Sequence, residues 1–270
     1  MKILHISDLH FGMHKPDILD FFLKDVDGIK PDIILVSGDC TQRALKEQYQ
    51  ELLAFLRNIK TEILIVPGNH DVPLYDVFER FFSPFKPFNT HVSCQYGTEF
   101  KNDKIRILGV NSVNPYRVKN GKISQKTLQK IKYYFKQPFS GLSILFFHHN
   151  FDHLYDLHKP LKNYQQLVNY LPESHIDLIC TGHLHYANLS LIKKNNNRSA
   201  LILHAGSLSC ARKKDAHNSY FLIETTKNGC RIELRIFDER GFLTLQEYDI
   251  DFSKHFSQLN HLLLPPVPHS

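Results

Sequence analysis

The chain has 270 residues, 42% of them apolar and 22% charged, which excludes a disordered or fibrous protein. Its net charge of +6 favours anionic ligands only weakly, because 27 acidic residues offset 33 basic ones, and no basic stripe marks a dedicated nucleic-acid binder. The 5 cysteines are odd in number and form no CxxC pair, which argues against a disulfide framework and for a reduced compartment.

The N-terminal half alternates strand and helix patterns. Residues 2–7 form a short apolar run that predicts a strand. Residues 17–29 carry apolar side chains at helical spacing (Ile18, Leu19, Phe22, Leu23, Val26). Residues 32–37 predict a second strand, residues 45–59 an amphipathic helix through Tyr49, Leu52, Leu53 and Leu56, and residues 62–66 a third strand. Continuous β-branched runs suit strands buried on both faces, and the repetition argues for parallel βαβ units. Residues 105–111 and 142–147 continue the strands, separated by a helix over 124–135. Residues 164–171 predict another helix and 176–180 another strand. Four further strands, 187–192, 199–204, 219–224 and 231–237, are separated by turn residues such as Asn195-Asn196-Asn197 and Asn228-Gly229, and read as antiparallel. The expectation is one α/β domain over 1–250 and an irregular extension over 251–270, which is rich in proline towards its end. No apolar run approaches the roughly 20 residues of a membrane span, and no signal-peptide core follows Met1. A cytoplasmic protein with no integral membrane segment is expected, with peripheral membrane contact left open.

Position gives the 17 histidines their meaning. Five segments place metal-type residues directly after strand-like runs: Asp8-Leu9-His10, Gly38-Asp39, Gly68-Asn69-His70-Asp71, His148-His149-Asn150 and Gly182-His183-Leu184-His185. Ligands of open α/β sheets gather beyond the carboxyl ends of the strands, so the five can converge on one crevice. In extended chain, alternate residues share a direction, which predicts that Asp8 faces with His10 and His183 with His185. Glycines at 38, 68 and 182 allow close backbone approach. Asp39 can bridge two cations, with Asp8, His10 and His185 completing one site and Asn69, His148 and His183 the other. Imidazole and carboxylate together suit transition metals such as Mn, Fe or Zn. Two such ions can activate water and clamp an in-line displacement at phosphorus. Any one segment alone is weak evidence; five in series are not.

These motifs, with the flanks Leu108-Gly109-Val110-Asn111-Ser112 and His204-Ala205-Gly206-Ser207, resemble calcineurin-like metallophosphoesterases. The resemblance runs from residue 3 to about 186. It points to the bacterial branch that holds class III cyclic-nucleotide phosphodiesterases, glycerophosphodiesterases and lipid A pathway diacylglucosamine hydrolases. It implies a four-layer fold, a central β-sandwich of mixed sheets flanked by helices, with antiparallel C-terminal strands. It also implies two divalent or mixed-valence metal ions and a phosphate-ester substrate, cleaved by hydroxide held between the metals. His148, the first of its pair, takes the ligand position. His70 corresponds to the group that stabilises the transition state or protonates the leaving oxygen. Asp71 then either orients His70 or serves as a turn or helix cap. Where many relatives carry His-His-Pro-Pro this chain has His148-His149-Asn150-Phe151, so His149 is a candidate substrate or supporting group. Asn111, Ser112, Arg117, His204 and Arg212 are further candidates for substrate contact, with a core role the default for His204. Phe151, Leu154, Tyr155 and Leu157 are candidates for an apolar rim. A repair-type nuclease and a non-catalytic scaffold are the alternative functions, the latter disfavoured because all seven ligand positions are filled.

Overall fold

The structure is a computed structural model and describes residues 1–117, 119–151, 159–194, 199–212 and 215–252. The opening repeats are β1 (Lys2–Ile6), α1 (Pro16–Ile29), β2 (Ile33–Val36), α2 (Lys46–Leu56) and β3 (Glu62–Ile65). A short helix α3 (Val77–Phe82), a single turn α4 (Lys86–Phe88) and an edge strand β4 (Glu99–Lys101) lead into the second series. That series is β5 (Ile105–Gly109), α5 (Gln125–Tyr134), β6 (Leu142–Phe146), α6 (Tyr164–Tyr170) and β7 (Leu178–His185). Five strands follow: β8 (Asn188–Lys193), β9 (Ser199–Gly206), β10 (Ser219–Thr225), β11 (Gly229–Phe237) and β12 (Phe242–Asp251).

Two six-stranded mixed sheets result, ordered β12-β11-β10-β1-β2-β3 and β4-β5-β6-β7-β9-β8. Their inner faces meet through Ile3, Ile33, Leu35 and Leu64 on one side and Ile107, Ile144, Phe146 and Leu203 on the other. Because side chains alternate along a strand, Leu4, Ile6, Ile34 and Val36 point outward, where Leu19, Phe22 and Val26 of α1 and Leu52 and Leu56 of α2 cover them. The outer face of the second sheet is covered by Leu128 and Ile131 of α5 and Leu167 of α6. This is the four-layer sandwich that the resemblance implies. α1 shows how locally the elements are specified. Pro16 starts it without loss of a needed N–H, its apolar stripe faces the sheet, and Lys30 ends it in the left-handed region at φ 53°, its N–H returning to Val26 O.

The parallel pairings β1–β2–β3 and β5–β6–β7 agree with the strand–helix periodicity. The C-terminal strands divide between the sheets. β9 joins β7 in parallel and pairs β8 antiparallel, while β10 to β12 extend the first sheet antiparallel from β1. The expectation of an antiparallel tail therefore misses one parallel pairing, and residues 242–251 form a strand that the pattern did not announce. β12 lies at a sheet edge, with Leu243 and Leu245 exposed, which blurs its alternation. Among the described residues no helix is long and apolar enough to cross a membrane.

Candidate active site

All five sequence segments converge at the carboxyl ends of β1, β2, β3, β6 and β7. The route is not the extended one expected. Asp8, His10, Asp39, His183 and His185 all occupy the left-handed region, at φ 54°, 51°, 51°, 77° and 63°. Non-glycine residues adopt that region at a cost, and it concentrates at functional sites. Asp8 with His10, and His183 with His185, thus share a direction because each residue is individually bent, not because the chain is straight. The β7–β9 pairing slips register between Thr181 and His185 for the same reason. Close packing holds the bends. A Cβ on Gly182 would stand 1.8 Å from Ser7 Oγ, and one on Gly68 would stand 2.1 Å from both the backbone N and Oδ1 of Asp39.

Two groups of donor atoms meet on Asp39. In the first, Asp8 Oδ1 is 3.2 Å from His185 Nε2 and 3.7 Å from His10 Nε2, and the two imidazole nitrogens are 3.1 Å apart. In the second, His148 Nε2 is 3.1 Å from Asn69 Oδ1, 3.2 Å from His183 Nδ1 and 3.3 Å from Asp39 Oδ2. The same Asp39 Oδ2 stands 3.8 Å from His10 Nε2.

The donor set fits cations. With ligand bonds of about 2.1 Å, neighbouring ligands on one ion stand roughly 3.0–3.4 Å apart. Asp8 Oδ1 is buried and lacks a hydrogen-bond partner, so a carboxylate oxygen points at the centre of the first group unpaired. His148 Nδ1 donates to Ser37 O at 2.8 Å, which leaves the Nε2 lone pair facing the second group. Burial alone would push Asp8 and Asp39 up. The surrounding imidazoles, His185 and His148 foremost, hold both carboxyls well below their usual range. Burial pushes His148 and His185 down, but Asp39 and Asp8 respectively lift them to about 9 and about 10. The same carboxylates that raise these imidazoles would attract cations.

His70 sits at the cleft with its ring 4.9 Å from that of His10. Its backbone N–H donates to Asp39 Oδ1 at 2.8 Å. Its Nδ1 is 2.9 Å from Gln42 O and 3.2 Å from Arg43 Nη1, so the nitrogen not held by Gln42 is Nε2. The orienting partner of His70 is therefore a backbone carbonyl. Asp71 does something else. Its carboxylate accepts from the N–H groups of Cys40 (3.1 Å), Thr41 (2.8 Å) and Gly68 (2.9 Å) and from Thr41 Oγ1 (3.0 Å). It ties the Asp39 loop to the Asn69 loop, the turn-type role of the two that the sequence left open.

The remaining candidates separate. His149 is buried behind His183, at 4.7 Å between rings, with Nδ1 2.9 Å from Ser112 Oγ. Burial, and then the charge of His183 and His148, push it well below the ordinary imidazole value. It supports His183 and does not line the cleft. Asn111 spends its Oδ1 on Val113 N at 2.8 Å, a local turn. His204 is buried in β9 with Nδ1 2.6 Å from Thr181 Oγ1, the core role. Arg117 lines a neighbouring cavity with Lys159 and Lys162. Phe151 is fully buried, and the rest of the expected apolar rim, Leu154, Tyr155 and Leu157, lies outside the described residues. Arg212 does line the cleft, a space of about 320 Å³, together with Arg43, Arg80 and Lys119. Sequence reasoning missed those three cations, and also Cys210, whose sulfur lies within 4.8 Å of His10 and His185 donor nitrogens. Each comes from a loop or short helix whose position depends on the fold, so no spacing in the chain signals it.

A four-layer sandwich with imidazoles and carboxylates gathered at its strand ends defines a metal-dependent phosphoric ester hydrolase. Residues 1–187 match calcineurin-like phosphoesterases, and the chain belongs to that family. The family implies divalent metal ions. The chain is 25% identical over 197 residues to a probable cyclic nucleotide phosphodiesterase of Vesicomyosocius okutanii, covering 69% of this chain and 79% of that one. It is 27% identical over 201 residues to a probable glycerophosphodiester phosphodiesterase of Arcobacter nitrofigilis, covering 72% and 66%. In fold it is similar to a purple acid phosphatase from yellow lupin seeds, with a TM-score of 0.72 at 9% identity. That match covers all of this chain and 57% of the lupin protein.

Proposed function

We propose that the chain is a binuclear phosphodiesterase or pyrophosphatase, with Asp39 shared between two metal ions. The observation that carries this is the placement of one carboxylate oxygen, Asp39 Oδ2, within 3.3 Å of His148 Nε2 and 3.8 Å of His10 Nε2, between two donor groups. Asp8, His10 and His185 would hold one ion, and Asn69, His148 and His183 the other. The imidazole-rich set suits Mn, Fe or Zn better than Mg or Ca. When bound, such a pair lowers the pKa of water and neutralises charge on the phosphoryl oxygens.

The chain's own residues supply the rest. Asp71 holds the two ligand loops in register. Gln42 O fixes the His70 ring, so that Nε2 can donate a proton to the departing oxygen. His149 backs His183 and keeps its ring from turning. The cations Arg43, Arg80, Lys119 and Arg212 draw an anionic ester into the cleft and orient it.

Purified chain reconstituted with Mn should hydrolyse bis-p-nitrophenyl phosphate, and Asp39→Asn should lower turnover about a thousandfold while metal content falls from two ions per chain to one or none. An Asp39→Asn protein that keeps two ions and its turnover would defeat the bridging reading.

A further inference from the structure

A helix in a folded protein ordinarily buries one face, yet none of the residues of α3 is buried. Val77, Phe78, Phe81 and Phe82 are 60–75% exposed, and Tyr75 and Tyr116 beside them are 75% and 62% exposed. These six account for most of the large apolar side chains exposed among the described residues. They gather on α3 and its flanks, and four of them pair ring to ring. The rings of Phe78 and Phe82 lie 4.6 Å apart, and those of Phe81 and Tyr116 5.3 Å apart. Scattered exposed hydrophobes need no explanation, whereas a clustered aromatic face marks an interaction site.

The polar groups of the same helix show which way it faces. Arg80 donates through Nη1 to Pro73 O at 3.0 Å and through Nη2 to Arg117 O at 3.4 Å, and it lines the catalytic cleft. Lys119, three residues beyond Tyr116, lines the cleft as well, with Arg43 and Arg212. Apart from the buried Asp8 and Asp39 of its floor, no acidic side chain among the described residues lines it. Asp76 is spent capping α3 through Glu79 N at 2.7 Å, and Glu79 pairs with Lys86 at 3.9 Å. The aromatic face is therefore continuous with a cationic cleft mouth.

Aromatic rings beside several cations match a bilayer interface, where rings settle at headgroup level and cations meet lipid phosphates. A second copy fits less well, because a two-fold contact centred on α3 would bring the cationic cleft mouths of both copies together. We infer that α3 and Tyr116 form a docking surface for an anionic phospholipid bilayer, which presents the cleft to a phosphodiester or pyrophosphate carried on a lipid. The docking half stands on the surface alone; the substrate half rests on the phosphoesterase reading above.

The test uses the full chain and vesicles of phosphatidylcholine with or without phosphatidylglycerol, read by co-sedimentation. The chain should pellet with the anionic vesicles, and Phe78→Ser/Phe82→Ser should lower partitioning at least about tenfold. Tyr133→Ser, which removes an aromatic 85% exposed on α5, should leave it within about twofold. An unsubstituted chain that stays in the supernatant overturns the inference, as does a double variant that binds equally well. So does gel filtration showing a dimer that the double substitution splits, since a second copy then covers the face. The thermal midpoint of the double variant shows whether its fold is intact. Hydrolysis of bis-p-nitrophenyl phosphate without vesicles separates the two readings. Turnover without vesicle binding removes the docking and leaves the phosphoesterase, and vesicle binding without turnover removes the phosphoesterase with the substrate half and leaves the docking.

Discussion

The floor and the rim of the cleft are built on opposite principles. The floor sets five non-glycine residues in left-handed backbone, buries Asp8, His10, Asp39 and His185 with His183 half-buried beside them, and holds them with short hydrogen bonds to neighbouring loops. The rim around α3 buries none of the helix's residues, leaves its aromatic rings in solvent and keeps Arg80 half-buried. Metal chemistry needs donor atoms fixed to within a fraction of an ångström, which only over-determined packing provides. Recognition of a large or interfacial ligand needs accessible surface, which packing would remove. Substitutions at the floor should therefore alter chemistry and stability steeply, and substitutions at the rim should leave both nearly unchanged.

The largest effect falls on the reaction. His70→Ala should slow cleavage of an ester with a poor leaving group by about 10²–10⁴-fold and cleavage of a p-nitrophenyl ester far less. Equal losses for both, measured as kcat, would remove the proton-donor role.

The floor should next respond to pH in a way the rim cannot. His148 and His185 are raised to about 9 and about 10 in the folded metal-free chain, above the usual imidazole value of about 6.5. A raised value means that their stabilisation is fully present below pH 6.5 and is lost as pH rises through 9 to 10. Denaturant titrations of metal-free protein should lose about 1.4 kcal/mol per pH unit for each imidazole across that window. Metal-loaded protein should not follow, because the ions replace those protons. Identical pH profiles with and without metal would break the contrast.

Asp71 separates the structural part of the floor from its chemistry. Asp71→Ala leaves three buried N–H groups unpaired and should cost about 3 kcal/mol in urea unfolding. At the rim, Lys86→Ala removes an exposed ion pair with Glu79 and should cost no more than about 0.5 kcal/mol. A rim penalty as large as that at Asp71 would mean that α3 is held in a way its exposure does not reveal.

The chain order of the fold and the convergence of the five segments were legible in the sequence, because buried strands leave continuous apolar runs and each segment follows one directly. The backbone geometry was not. Asp8-Leu9-His10 looks extended on paper, and its two left-handed residues are imposed by contacts from Gly38 and Asp39, whose carbonyls accept from Asp8 N and His10 N at 3.0 Å. The two readings of Asp71 stayed open along the chain because its partners, Cys40 and Thr41, lie about 30 positions away. β9 joined β7 in parallel for a similar reason: strand pairing is settled across the molecule, not along it. The cations of the cleft and the exposure of α3 were equally hidden, since apolar residues at helical spacing ordinarily announce a buried face.

Crystals grown with Mn and measured at its absorption edge would test the two-metal centre most directly. Two anomalous peaks about 3.5–4 Å apart, with the Asp39 carboxylate between them, are expected. A single peak, or a pair that leaves Asp39 uncoordinated, would contradict it.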